Sequence, residues 1–183
     1  AAPDALVERE IRRHLPENIP CPQLRCMAEI DSTNSYLKRE ALAGAPHGTV
    51  AVANYQTAGR GRMSRAFLSP PDRGVYLSVL LRPPLPPEAL LGATGMAAVA
   101  VCNAVERVSG VRPGIKWTND LMLNGKKLCG ILTEMALEGE TGMTEYLVIG
   151  AGVNVSHSRE DFGPEVADMA TSLALEGYSV SRS

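Results

Sequence analysis

Apolar and polar positions alternate between two periods along this chain. Leu6, Val7, Ile11 and Leu15 recur at helical spacing and predict a short amphipathic helix over residues 5–15. Pro16, Pro20 and Pro22 end it and lead into an extended segment. Asp31-Ser-Thr-Asn-Ser ahead of Tyr36-Leu-Lys-Arg-Glu-Ala-Leu reads as a polar start to a second helix. Strand-like runs follow at Thr49–Gln56 and Gly74–Leu81, separated by the long aperiodic loop Thr57–Asp72. Glu88–Val108 is small, apolar and long, and predicts a buried helix packed on a sheet. Three further strand-like runs, Ile115–Trp117, Leu121–Leu123 and Lys127–Met135, come next. Asn124-Gly125 between the last two is a hairpin signal, because both residue types accept positive φ. Glu138–Gly142 is another turn, and Glu145–Val155 a final strand. Consecutive strands joined by hairpins, with helices bunched elsewhere, predict an α+β fold rather than strict alternation.

Composition narrows the function more than the fold. The 183 residues fit one domain, and aromatics are only 4%, so aliphatic side chains must fill the core. A formal net charge of −2 offers no general attraction to nucleic acid or anionic membrane, so any anion must meet a local basic cluster. Cys21, Cys26, Cys102 and Cys129 form no C-x-x-C pair, and His14, His47 and His157 have no metal spacing, which argues against zinc and for plain thiols in a reducing compartment. No leader-like start and no apolar run near ~20 residues stand out, so a cytoplasmic protein without a membrane partner is expected.

Four segments carry chemistry. Tyr55-Gln56-Thr-Ala-Gly59-Arg60-Gly61-Arg62-Met-Ser-Arg65 alternates glycine, which lets backbone approach a ligand, with arginine, whose planar fork fits phosphate or carboxylate. Alone, such a run also suits a solvated basic loop or an RNA contact. As a single copy between two apolar strands it favours a folded ligand site. Lys116-Trp-Thr-Asn119-Asp120 ends a strand with a cation, an amide and a carboxylate, suited to phosphate and Mg²⁺, although an ordinary Asn-Asp turn has the same composition. In Lys126-Lys127-Leu-Cys-Gly130-Ile-Leu-Thr-Glu134, strand alternation puts Lys127, Cys129 and Ile131 on one face. Gly150-Ala-Gly152-Val-Asn154 leaves room for a flat ligand, or equally for close helix packing.

Together with Asp31-Ser-Thr-Asn, these segments resemble, in order and spacing, the catalytic domain of biotin–protein ligases. The resemblance implies a mixed, largely antiparallel sheet backed by helices, like the cores of class II aminoacyl-tRNA synthetases. It also implies ATP-dependent conversion of biotin to biotinyl-adenylate and transfer to a lysine of a carboxylase's biotin carboxyl carrier protein domain. By that resemblance Ser32, Thr33, Asn34 and Gln56 line the biotin pocket, and Arg60, Gly61 and Arg62 fold over the adenylate. Lys127 holds the carboxylate and α-phosphate, with Arg60 and Arg62 as further catalytic groups, and Gly130 sits against the ligand. Arg65, Lys116, Asn119 and Asp120 serve the phosphates, Asp120 also Mg²⁺, and Asn154 reads adenine. Where members of the family carry a tryptophan after the arginine loop, this chain has Met63-Ser-Arg-Ala-Phe67. Residues 1–30 hold one short helix, too little for the DNA-binding domain of repressor members, so no DNA partner is expected. The small C-terminal β-barrel usual in the family is expected to be absent from this chain, which reads as one catalytic domain over 1–183. The rival readings are a lipoate or octanoate ligase or transferase of the same fold, and a non-catalytic binder of biotin or nucleotide.

Overall fold

The computed structural model describes residues 4, 6–16, 19 and 23–182. Pro20, Cys21 and Pro22 lie outside them. Strands β1 (Leu24–Met27), β2 (Thr49–Ala53), β3 (Gly74–Leu81), β4 (Gly114–Lys116), β5 (Asp120–Leu123), β6 (Lys126–Leu137) and β7 (Thr144–Asn154) form one sheet in the order β1-β2-β3-β7-β6-β5-β4. Among the described strands only β1 and β2 pair in parallel, the helix between them making the crossover that parallel strands require. The rest are antiparallel, as the run of hairpin signals implies. Asn124 and Gly125 take φ 50° and 78° at the β5–β6 turn, the geometry their sequence predicts.

Each face of the sheet carries one main helix. Helix α2 (Thr33–Leu42) buries Leu37 and Ala41 against Ala51, Leu80, Tyr146 and Val148. Helix α3 (Ala93–Ser109) buries Ala98, Cys102 and Val105 on the other face, against Leu121, Leu128, Cys129, Ile131, Ala151 and Val153. Burial pushes the Cys129 thiol up to about 12, so it stays protonated and behaves as a small apolar side chain. The short helix α1 (Glu8–His14) has no buried residue of its own, and Leu6 ahead of it packs on Leu24 and Val52.

The expected buried helix over Glu88–Val108 is corrected in two ways. Pro87–Leu90 is a separate 3₁₀ turn, so the α-helix starts only after Gly92. It also buries a single stripe, leaving Met96, Val99 and Val108 exposed. By length and composition alone, the 23 residues Pro87–Ser109 contain a stretch apolar enough to cross a membrane, which the sequence reading did not single out. The α-helical part is 17 residues, roughly 25 Å long against a hydrocarbon core of about 30 Å, and one side of it rests on the sheet.

The segment after β7 folds back along the sheet. Lys127 N–H donates to the Met169 carbonyl, and Thr171 N–H donates to Lys127 O, so this segment runs beside the first residues of β6. His157 is buried there, stacked on Phe162, with Nε2 3.2 Å from the Tyr76 hydroxyl. Burial depresses its pKa to about 4 from 6.5; Asp161 opposes the shift. Between those values the unfolded chain takes up a proton that the folded chain refuses. Stability is therefore full above pH 6.5 and falls as the pH drops towards 4, by about 3 kcal/mol for this group. Denaturant midpoints measured between pH 4 and 7 should show this slope, and His157→Gln should flatten it. An equal slope in both proteins would exclude His157 as its origin.

Candidate active site

The site lies on the α2 face of the sheet, beyond the N-terminus of that helix. Helix α2 begins at Ser32, whose Oγ accepts from Ser35 N at 3.5 Å, earlier than the polar run alone suggests. Thr33 and Asn34 therefore sit in its first turn, both buried. Gln56 Oε1 accepts the Thr33 N–H at 2.8 Å, and Gln56 Nε2 donates to Ser69 Oγ at 2.8 Å. The Ser78 hydroxyl lies 2.7 Å from Thr33 Oγ1 and 2.6 Å from Asn34 Oδ1. Asn34 Oδ1 can only accept, so the single Ser78 proton goes to it. Asn34 Nδ2 donates to Leu132 O at 3.2 Å and Glu134 Oε2 at 3.0 Å. The amide's orientation is thereby settled by its partners.

Glycine shapes the floor and the lid. A Cβ on Gly150 would lie 2.0 Å from Asn34 Oδ1, and one on Gly152 2.3 Å from the Phe67 ring. The close-packing reading of the Gly-Ala-Gly segment thus holds at Gly150, which admits the helix, while the space over Gly152 is taken by the Phe67 side chain. In the loop, Phe67 N–H donates to Gly59 O at 2.9 Å and Gly61 N–H to Arg65 O at 2.8 Å, closing it on itself. A Cβ on Gly59 would come within 2.3 Å of Phe67 O, so the two arms meet only because that position is glycine. The Phe67 ring lies over Gly130 and Gly152.

Simple alternation misplaces Lys127. Met122 pairs with Lys127 but Leu121 pairs with Cys129, so Leu128 is an extra residue in β6. The bulge moves Lys127 to the face opposite Cys129 and Ile131, which join the α3 core. Lys127 Nζ instead stands 3.3 Å from where a Gly130 Cβ would be, on the site face. It pairs with Asp120 Oδ1 at 2.7 Å.

Ser32, Thr33, Asn34, Gln56, Arg60, Gly61, Arg62, Asn119, Lys127 and Gly130 all line one cavity of about 50 Å³, with Phe67 and Leu132. Every residue expected to hold biotin is there. Arg62 Nη1 donates to Thr118 Oγ1 and Asn119 Oδ1, at 2.9 and 3.0 Å. Of the residues expected to serve the nucleotide, only Asn119 lines the cavity. Asp120 stands behind Lys127. Lys116, on edge strand β4, and Arg65 are exposed and outside the wall. Asn154 is buried outside it too, its Nδ2 donating to Thr171 O at 3.0 Å, which ties it to the returning segment. Ser78 and Glu134 went unassigned in the sequence. Ser78 is a lone hydroxyl in an apolar strand, a signal that could have been followed; Glu134 looks like any strand-end carboxylate. Burial raises the Glu134 pKa, but hydrogen bonds from Lys38 and Asn34 and the nearby Arg60 outweigh it and keep the carboxyl below its usual value. Among the described residues no three His, Cys, Asp or Glu side chains form a metal cage.

A pocket with a cationic wall, a helix N-terminus and a glycine floor, set on the sheet of an α+β domain, is suited to a small acidic ligand. Residues 26–154 match the model of the biotin/lipoate A/B protein ligase family. The chain is 42% identical to the bifunctional ligase/repressor BirA of Bacillus spizizenii, over 98% of this chain and 55% of that protein. It is also 42% identical to BirA of Bacillus subtilis, over 94% and 52%. The biotin protein ligase of Aquifex aeolicus, solved in complex with biotin and ATP, superposes with TM-score 0.67 at 28% identity, covering 88% of this chain and 64% of that one. The chain belongs to the biotin/lipoate A/B protein ligase family, and its sheet is the class II synthetase-like core of these neighbours. It spans about half the length of the curated relatives it matches.

Proposed function

We propose that this chain activates biotin with ATP and passes the biotinyl group to a lysine of a biotin carboxyl carrier protein domain. The observation that carries the reading is that the bulge-turned Lys127 and Arg62 line one pocket, beside the Thr33–Asn34–Gln56–Ser78 network. The biotin carboxylate would attack the α-phosphorus, forming a C–O–P bond as pyrophosphate leaves. The acceptor amine would then attack the acyl carbon and expel AMP. The first step brings two anions together and needs preorganised positive donors where they meet. Arg62, which has only neutral partners among the described residues, and Lys127 would supply them. Thr33, Asn34 and Gln56 offer donors and acceptors for a ureido ring, with Ser32 and Gly130 against the ligand. A Mg²⁺ would come with the nucleotide phosphates, Asp120 adding at most one carboxylate ligand. The loop would cover an anhydride that water hydrolyses. With Phe67 in the cavity, a ligand of biotin's size needs that ring to turn aside. The biotin–[acetyl-CoA-carboxylase] ligase of Mycobacterium tuberculosis, a relative of this chain, and the biotin–ATP complex of the Aquifex enzyme support the same substrates.

Calorimetric titration with biotin, lipoate and octanoate, each with and without ATP, followed by mass detection of the acyl-adenylate, tests the reading. Biotinyl-adenylate alone is expected. An octanoyl- or lipoyl-adenylate in its place would move the chain to the lipoate branch, and binding without adenylate would make it a binder.

A further inference from the structure

We propose that Glu134 is a positioning residue that tethers the Gly59–Ser69 loop through Arg60 and ties it to helix α2. Glu134 sits on β6 at the rim of the cavity, its side chain only 18% exposed. Three groups from two elements converge on its carboxylate. Lys38 Nζ stands 2.9 Å away and Asn34 Nδ2 3.0 Å, both from α2, and Arg60 Nη1 reaches it at 3.2 Å from the loop. No other carboxylate lies within ion-pair distance of Arg60 among the described residues; its further contact is the Ser35 hydroxyl at 3.5 Å.

The two loop arginines therefore do different work. The Arg60 charge is answered by protein, so it anchors one arm of the loop, whereas Arg62 rests on neutral oxygens and keeps its charge for an anion. A half-buried carboxylate shared by two cations is screened far less than a surface pair, so losing it should matter. Because Glu134 also holds the Asn34 amide, the loop and the helix end that flank the pocket are fastened at one point. Closure of the loop and orientation of Asn34 then depend on each other.

The consequences for adenylate retention rest on the proposed biotin-activating role; the tether itself does not. The direct readout is trypsin cleavage after the loop arginines Arg62 and Arg65 in the folded protein. Glu134→Gln is expected to speed it about tenfold, and Arg60→Gln, a change on the exposed loop that leaves the core untouched, by a similar factor. The double variant should be no faster than either, since both remove one interaction. Lys38→Met removes a cation from Glu134 without touching the loop and should leave cleavage at the wild-type rate. In the biotin reaction, both tether variants should release adenylate about tenfold faster, and an unchanged denaturant midpoint in Arg60→Gln separates this from general loosening. Wild-type cleavage in Glu134→Gln, or effects of the two changes that multiply, would overturn the tether. If the wild-type protein makes no adenylate, the activity falls while the cleavage series still decides the tether.

Discussion

Replacing Lys127 by alanine should slow adenylate formation about a hundredfold, while ATP binding weakens far less. A donor aimed at charge that develops only in the transition state is worth roughly 3–4 kcal/mol, about a hundredfold or more in rate. Lys127 fits that description better than its neighbour for a structural reason. The extra residue Leu128 turns Lys127 onto the site face, where backbone bonds to Met169 and Thr171 and the 2.7 Å pair with Asp120 hold it. Lys126 lies outside the cavity wall. Single-turnover formation of biotinyl-adenylate, measured for Lys127→Ala and Lys126→Ala, separates the two. Near wild-type rates are expected for Lys126→Ala, and equal losses in both would remove Lys127 from its assigned role.

Gly150→Ala should be the most damaging single methyl added to this protein. The new Cβ would fall 2.0 Å from Asn34 Oδ1, 2.9 Å from its Cγ and 3.1 Å from Ser78 Oγ. Neither side can yield cheaply. The strand is pinned between β3 and β6, and Asn34 is held by Ser78, Leu132 and Glu134. Overpacking of this kind costs about 1–3 kcal/mol in stability. Moving Asn34 should also weaken biotin binding by about tenfold or more, since a buried polar group left unpaired costs about 1–3 kcal/mol. Gly139→Ala, with no atom within 4 Å of the added methyl, is the control and should stay within about 0.5 kcal/mol. Denaturant unfolding and biotin titration of both variants measure the contrast. A Gly150→Ala protein as stable and as tight-binding as wild type would show that Asn34 does not set the pocket.

Much of this molecule could be read along the chain because its signals are local. The Asn124-Gly125 hairpin, the apolar strands and the polar opening of α2 depend on backbone preferences within a few residues, and each is present, the helix beginning a few residues early at Ser32. The resemblance to biotin–protein ligases singled out the cavity-lining set from Ser32 to Gly130, since residue type and spacing carry it without knowledge of geometry. Other features escape such reading because they depend on partners far away in sequence. Whether α3 is buried depends on what covers its outer side, and Met96 and Val99 remain open. The Asn154 Nδ2 bond to the Thr171 carbonyl, which ties β7 to the returning segment, is another such feature.

By itself, then, the sequence determined the element types, the largely antiparallel order and the group of residues that meet in the pocket. Only the tertiary structure decided which way they point and what they hold. A period of two assigns Lys127 to the face of Cys129, but a single unpaired residue reverses everything before it, and a bulge leaves no mark in composition. The division of labour between Arg60 and Arg62 is likewise invisible in Gly-Arg-Gly-Arg. It depends on Glu134 lying within 3.2 Å of one arginine while Thr118 and Asn119 take the other, contacts that close across more than fifty positions of chain. Charge is local in sequence; its neutralisation is a property of distance in space.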